Sequence, residues 1–130
     1  FKKEAAKNIF EEFEIINIGI FPIDRDILQV RIRERVVEMI NMGLTKEAHE
    51  IIKLENIAKN HPALNSINYK EAIQVINGEL DSSKLEERCV ISTRQLVKRQ
   101  LTWMRSFNFS KTFDTNSAVE IEKYLEEQIF

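Results

Sequence analysis

Glycine and cysteine are scarce in this 130-residue chain, and each shortage excludes a class of site. The three glycines lie too far apart to form a G-x-x-x-x-G-K-[ST] phosphate-binding loop. The single cysteine, Cys89, excludes an internal disulfide and a zinc site built from several cysteines. His49 and His61 lack the spacing of metal ligands, so we expect no metal site in this chain.

Long apolar runs are also absent. No stretch of about 20 apolar residues could span a bilayer, and no signal peptide is visible. We therefore expect a soluble, cytoplasmic protein that has no membrane partner. The length of 130 residues suits one domain, and 43% hydrophobic residues can build its core.

A segment of concentrated positive charge is the most informative feature present. Five basic residues and no acid occur from Arg88 to Arg105, although the whole chain has a net charge of −2. On a helical wheel the cations occupy one side of this segment, and apolar residues occupy the other. A local basic stripe suits a phosphate backbone. The alternative is an ordinary solvated face, but such faces usually mix both signs of charge.

The pattern of elements predicts a mainly α fold with one or two short β-strands. Residues 14–21 carry four isoleucines and predict a buried strand, which Pro22 ends. Asp24 is expected to cap the helix over residues 25–42, and Gly43 to end it. No partner for the buried strand is evident, so we expect its apolar surface to be exposed unless the chain self-associates.

Four further helices and a second strand complete the prediction. A capping box formed by Ser83 and Glu86 is expected to open the basic helix. Cys89 falls on the apolar side of that helix, so we expect it to be packed in the core. Helices are predicted over residues 44–58, 67–76, 83–107 and 117–130, and the second short strand over 109–114.

Three segments together resemble a known family. They are Asp24-Arg25 with Leu28, Arg31-Ile32, Arg35-Val36 and Met39; Ser66-Ile-Asn-Tyr-Lys-Glu71; and Thr93-Arg-Gln with Lys98-Arg-Gln, Thr102-Trp and Arg105. Their order and spacing resemble the C-terminal portion of the tRNA dimethylallyltransferases, also called IPP transferases. Asn68 stands where that family usually has Gly. Because Asn is the non-glycine residue that best tolerates a left-handed backbone, we expect the turn to survive.

The resemblance implies the C-terminal portion of a P-loop-type α/β enzyme. Such an enzyme transfers a dimethylallyl group from dimethylallyl diphosphate to the exocyclic amine of the adenine 3′ of the tRNA anticodon. Its phosphate loop and general base lie in an N-terminal half that this chain lacks, so we expect this chain to be inactive alone. Mg²⁺ is implied for the full enzyme, without a ligand here. The implied partners are the tRNA anticodon stem-loop, dimethylallyl diphosphate and the N-terminal half of the same enzyme.

The pattern of elements and the resemblance together predict the domain layout, and the resemblance implies the site residues. Residues 1–13 form a connector or fraying helix. Residues 14–114 form the C-terminal part of the transferase domain, with a tRNA-binding helix over 83–107, and residues 115–130 form a terminal helix. Arg35 and Arg31 are implied as diphosphate contacts. The implied tRNA-binding residues are Asn68, Tyr69, Lys70, Arg94, Lys98, Arg99 and Arg105.

Alternatives remain open at several positions. Arg31 and Arg35 could instead pair with surface acids such as Glu34 or Glu38. Trp103 lies near the edge of the apolar side of its helix, so we expect it to be packed rather than stacked on a base. A non-catalytic helical RNA-binding or interaction module is a second function that fits the pattern. A kinase-like remnant that binds nucleotide is a third.

Overall fold

The computed structural model describes residues 12–54 and 56–129. Within that part the fold is mainly α with two short strands, as the sequence predicts. The helix or connector predicted over residues 1–13 lies almost wholly outside the described residues. The elements in chain order are β1 (Ile18–Phe21), α1 (Arg25–Asn41), α2 (Leu44–Ile52), a 3₁₀ turn (Pro62–Asn65), α3 (Tyr69–Ile76), a 3₁₀ turn (Ser82–Lys84), α4 (Leu85–Met104), β2 (Lys111–Asp114) and α5 (Ala118–Ile129).

The chain divides into two compact units. Residues 24–100 form what we call the helical unit, and residues 1–23 with 101–130 form the sheet unit. Helix α4 contributes its residues up to Gln100 to the helical unit and its last turn to the sheet unit. No helix in the described part of the chain is long and apolar enough to cross a membrane.

Local signals set the start and end of α1 in the helical unit. The Asp24 side chain accepts hydrogen bonds from the backbone N–H groups of Asp26 and Ile27, at 2.9 and 3.1 Å. It thereby satisfies two of the donors that every helix start leaves unpaired. Gly43 follows the helix with φ +100°, a conformation that favours glycine. Both boundaries are confirmed.

The core of the helical unit lies between its four helices. Its buried residues come from all of them: Ile32, Val36, Leu44, Ala48, Ala72, Leu85, Cys89 and Val90. Cys89 and Ala48 have no exposed surface, so the prediction that Cys89 is a core residue is confirmed. Because α1, α2, α3 and α4 share one core, side chains from distant parts of the sequence are held close together.

Three predicted boundaries in the helical unit are wrong. The helix from Leu44 ends at Ile52 and not at residue 58, because the backbone turns into successive tight i→i+3 bonds, including Leu54 N–H to Ile51 O at 3.1 Å. The helix predicted from residue 67 begins at Tyr69, after a turn at Asn68. The predicted capping box at Ser83 does not form, because Asp81 accepts the Ser83 N–H at 2.9 Å and caps a 3₁₀ turn instead.

The sheet unit contains a parallel strand pair. β1 pairs with β2, with Ile18 opposite Lys111 and Phe21 opposite Asp114. The expectation that the first strand lacks a partner in this chain is therefore wrong, because its partner comes from a distant part of the sequence. The strand is only partly buried, since Ile20 is 44% exposed, and the expectation of exposed apolar surface on this segment is confirmed.

Aromatic side chains pack around this strand pair. Phe21 and Phe109 meet edge to face, with ring centroids 5.7 Å apart. A Cβ atom added at Gly19 would lie 2.7 Å from carbons of both rings, so glycine leaves the space that this packing needs. From α5, Tyr124 contacts Phe113 at a centroid distance of 5.6 Å.

Candidate functional site

A pocket of about 330 Å³ in the helical unit brings the three motifs together. Helix α1 supplies most of its wall, and the turn before α3 and the middle of α4 close it. The lining residues are Arg31, Ile32, Arg35, Val36, Met39, Asn68 and Thr93. Three of the predicted site residues, Arg31, Arg35 and Asn68, therefore share one cavity, and its volume is at the small end of ligand sites.

The two arginines project from consecutive turns of α1, and both residues are exposed. Arg35 Nη1 donates to Glu38 Oε2 at 2.9 Å, so the alternative of a surface ion pair is realised for Arg35. The two side chains are 66% and 58% exposed. Because exposed pairs of this kind contribute roughly 0–1 kcal/mol, an arriving phosphate oxygen can replace Glu38 at little cost. Arg31 also takes part in a polar interaction.

The turn at Asn68 is strained and closely held. Its φ of +77° is the only positive value at a non-glycine residue in the described part of the chain. The prediction that Asn adopts such a backbone here is confirmed. The Asn68 N–H donates to Glu71 Oε2 at 2.8 Å, and Ser92 Oγ on α4 donates to the other carboxylate oxygen. Glu71 is only 6% exposed, so a buried carboxylate fixes this turn against α4.

The Asn68 side chain reaches the pocket. Its Nδ2 lies 3.8 Å from Met39 Sδ. Asn68 and Glu71 also form a capping box at the start of α3. Thr93 lies in the same wall, where its hydroxyl donates to the Cys89 carbonyl at 2.8 Å.

Tyr69 and Lys70 lie next to Asn68 but have different surroundings. The Tyr69 hydroxyl donates to the Glu47 carboxylate and ties α3 to α2. This hydrogen bond, together with burial, raises the pKa of Tyr69 above its usual range. Lys70 is exposed and lines a separate groove of about 920 Å³, with Gln74 and Asn77 among its neighbours. The structure therefore does not bring Lys70 into the pocket.

The basic stripe on α4 and at Arg105 just after it remains open to solvent. Arg94 and Arg99 are exposed in the helical unit, and Arg105 is exposed in the sheet unit. None of these three arginines has a salt bridge to a carboxylate in the described part of the chain, whereas Lys98 is exposed and takes part in a polar interaction. The surface therefore offers guanidinium groups that no described acid neutralises.

The exposure of Trp103 contradicts the prediction that its side chain is packed. Its side chain is 64% exposed, and it contacts the edge of Phe107 at a centroid distance of 4.5 Å. The expectation that it packs against the core is wrong. Trp103 lies near the apolar side of α4 on the helical wheel, but this did not lead to burial. The helical unit ends at Gln100, so its core does not extend to residue 103.

Sequence reasoning missed Glu71, Ser92 and Thr93 as parts of this site. Glu71 is the third residue of α3, where a carboxylate commonly accepts the N–H before the helix, so its position was a usable signal. Its burial and its bond to Ser92 depend on how α3 packs on α4, and no local pattern reveals that. In the part of the chain that is described, no three His, Cys, Asp or Glu side chains cluster as a metal site requires. The pocket lining has two arginines and no carboxylate, so it does not offer the acidic ligands that Mg²⁺ prefers.

Comparison with known proteins identifies the family. A family model described as IPP transferase matches residues 1–107, most of the chain. The chain belongs to the IPP transferase family. The family predicted from the three motifs is thereby confirmed. The motifs that meet in the pocket all lie inside the matched region.

Named IPP transferase relatives agree with this assignment. A tRNA dimethylallyltransferase of Nitrosomonas eutropha is 34% identical over 102 residues, which cover 78% of this chain and 32% of the relative. One of Hydrogenovibrio crunogenus is 34% identical over 104 residues, which cover 80% and 32% of the two chains. The chain thus spans about a third of the length of these relatives, and it corresponds to their C-terminal portion.

Solved IPP transferase structures show the same fold. The tRNA isopentenylpyrophosphate transferase of Bacillus halodurans matches with a TM-score of 0.78 and 25% identity, over 95% of this chain and 43% of its own. A tRNA delta(2)-isopentenylpyrophosphate transferase of Staphylococcus epidermidis matches with a TM-score of 0.76 and 25% identity, over 97% and 43% of the two chains. The mainly helical architecture with its short parallel strands is therefore that of a portion of these α/β enzymes.

Proposed function

We propose that this chain supplies the tRNA-binding and diphosphate-contacting part of a tRNA dimethylallyltransferase. The complete enzyme transfers the dimethylallyl group of dimethylallyl diphosphate to the exocyclic amine of the adenine 3′ of the anticodon. The observation that carries the proposal is the pocket in which Arg31, Arg35, Asn68 and Thr93 meet. Three motifs that are far apart in sequence converge there on one cavity with two cations.

Charge is what these residues contribute to the reaction. The amine nitrogen forms a bond to the allylic carbon, the carbon–oxygen bond to the diphosphate breaks, and one amine proton passes to a base. Negative charge grows on the departing diphosphate, and guanidinium groups that already face it stabilise the transition state. The pocket lining contains no carboxylate or histidine. We therefore assign binding and orientation to it, and proton removal to a residue outside it.

The basic stripe has a different role in this proposal. Arg94, Lys98, Arg99 and Arg105 hold the phosphates of the anticodon stem-loop, while Tyr69 and Lys70 contact RNA at the start of α3. Support comes from the exposure of these four cations and from the absence of acids between Arg88 and Arg105. Phosphate contacts of this kind position the RNA, and they do not read its sequence.

Binding of inorganic diphosphate tests the pocket. We expect Arg35→Ala to weaken binding to the chain by about tenfold or more, because hydrogen bonds to charged groups contribute about 1.5–3 kcal/mol. Arg33→Ala is the matched control, since Arg33 lies on the same helix and pairs with Glu86 at 2.8 Å outside the pocket. Isothermal titration calorimetry gives both affinities. Equal affinities for the two variants would remove Arg35 from the proposed site.

A further inference from the structure

A groove in the helical unit is separate from the pocket that carries the proposed function. Its volume is about 920 Å³, which is within the range of small-ligand sites. One side of α3 forms one wall, and the end of α2 and the loop before α3 form the rest. The floor is aliphatic and half-buried, and it consists of Ile52, Ile57, Leu64 and Ile73. A floor of this kind gives a flat ligand an apolar surface to lie on.

Four primary amides surround this floor. They belong to Asn60, Asn65, Gln74 and Asn77. None of these side chains makes a hydrogen bond within the described part of the chain. A carboxamide has two donor hydrogens and an acceptor oxygen. The edges of nucleobases carry the same combination of donors and acceptors, and Asn and Gln pair with such edges.

The charged groups of the groove favour an anion. Lys59 and Lys70 are exposed, and neither has a salt bridge to an acid among the described residues. His61 Nδ1 accepts the Ala63 N–H at 3.2 Å, so the Nε2 of His61 carries the hydrogen and is a further donor. Glu79 is the single acid among the described residues that line the groove. Two ammonium groups and one carboxylate leave a positive charge that suits a phosphate.

The groove and the pocket approach each other at the start of α3. Lys70 lines the groove, and Asn68 lines the pocket. Two residues of chain span at most about 7 Å. One RNA strand can therefore occupy both cavities with nucleotides that are close together in its sequence. A protein segment that lies in the groove has no such link to the pocket.

We propose that this groove binds one unstacked nucleotide of the anticodon loop, beside the acceptor adenine in the RNA. Its base lies on the aliphatic floor, the amides bond to the edge of the base, and Lys59 and Lys70 hold its phosphate. The inference rests on the proposed function, since it takes the ligand to be the anticodon stem-loop. Bases that leave the stack are held in this way by apolar side chains and by bonds to their edges. The groove thereby stabilises the opened loop that exposes the acceptor adenine.

Abasic RNAs test the groove. The chain is titrated by fluorescence anisotropy with an anticodon stem-loop RNA, and then with RNAs that carry one abasic nucleotide at each loop position in turn. The same series is measured on the double variant Gln74→Ala with Asn77→Ala, whose residues line the groove and not the pocket. Asn41→Ala with Gln128→Ala is the matched control, because both amides are exposed and neither lines the groove.

We expect one loop position beside the acceptor adenine at which loss of the base weakens binding about tenfold, as loss of one stacked base does. In the groove variant that loss should be at least about threefold smaller, because the bonds from the two amides to the base are already absent. The control should keep the full loss. A series with no such position, or one that is the same in the groove variant and the control, would overturn the proposal. A groove that serves a protein segment would give that result.

The outcomes also separate this inference from the function beneath it. If the unaltered chain does not bind the stem-loop, the proposed function fails and the inference fails with it. If the stem-loop binds and Arg94 and Arg99 contribute to its affinity, but the groove variant leaves the abasic series unchanged, the groove alone is refuted. The abasic series on the unaltered chain does not depend on the folding of any variant.

Discussion

The basic stripe on α4 predicts a specific salt dependence of RNA binding. The perturbation is the double substitution Arg94→Ala and Arg99→Ala. Both side chains are exposed, and neither has a salt bridge to an acid in the described part of the chain. Each can therefore make one phosphate contact and release counterions from the RNA.

The magnitude follows from counterion release. Each phosphate contact contributes about 0.7 to 0.9 to the slope of log K against log salt concentration. The double variant should therefore lower the magnitude of that slope by about 1.4 to 1.8. Neither Arg94 nor Arg99 has a salt bridge to an acid in the described part of the chain. The substitutions therefore free no carboxylate whose rearrangement could offset the lost phosphate contacts.

The assay is fluorescence anisotropy of a labelled anticodon stem-loop RNA over a series of KCl concentrations. The matched control is Lys46→Ala with Lys53→Ala, which removes the same charge from exposed positions at α2 in the same unit. Circular dichroism verifies that both double variants are folded. An unchanged slope in the arginine variant, or an equal decrease in both variants, would show that the stripe is an ordinary solvated surface.

Three further outcomes are expected. The chain alone should bind stem-loop RNA but give no prenyl transfer from dimethylallyl diphosphate in a radiolabel assay, because it contains no phosphate-binding loop; measurable turnover would refute this. Glu71→Gln should lower the free energy of unfolding by about 1–3 kcal/mol in urea titrations, since a buried acceptor of two hydrogen bonds is altered; Glu87→Gln, at an exposed position, should lower it far less. Burial, with the nearby Glu71 carboxylate, raises the pKa of the Cys89 thiol to about 12. Because the folded chain keeps this proton to a higher pH than the unfolded chain, Cys89 should lower the free energy of unfolding by about 1.4 kcal/mol per pH unit between about pH 9 and pH 12. Unfolding experiments on Cys89→Ala across that range should show a pH dependence that is weaker by this amount, with the contribution of Tyr69 remaining.

Much of the fold could be predicted because its signals are local. Asp24 caps a helix through N–H groups two and three residues away, and Gly43 ends that helix through its own φ. Asn68 was expected to adopt a positive φ for the same kind of reason, since the preference belongs to the residue itself. The family could also be recognised from the sequence, because its motifs are short runs of residue types at fixed spacing.

The errors on the first strand and on Trp103 occurred where distant residues decide the result. The first strand was expected to lack a partner, yet β2 pairs with it, and Ile23 N–H bonds to Asp114 Oδ1 across 91 residues. The wheel position of Trp103 predicted packing, but whether an apolar side is covered depends on which elements pack against it. An apolar period of 3.6 residues shows which side of a helix can be buried. It does not show which other element, if any, packs against that side.

The sequence by itself determined helix α1 with its Asp24 cap, the basic stripe and the family, since each depends on residues within a few positions or on a short motif. Only the tertiary structure decided that Arg31, Arg35, Asn68 and Thr93 line one pocket and that Glu71 is buried beneath the turn. The reason is that helices α1, α3 and α4 pack on a common core. The packing of that core sets distances between side chains that no local preference encodes.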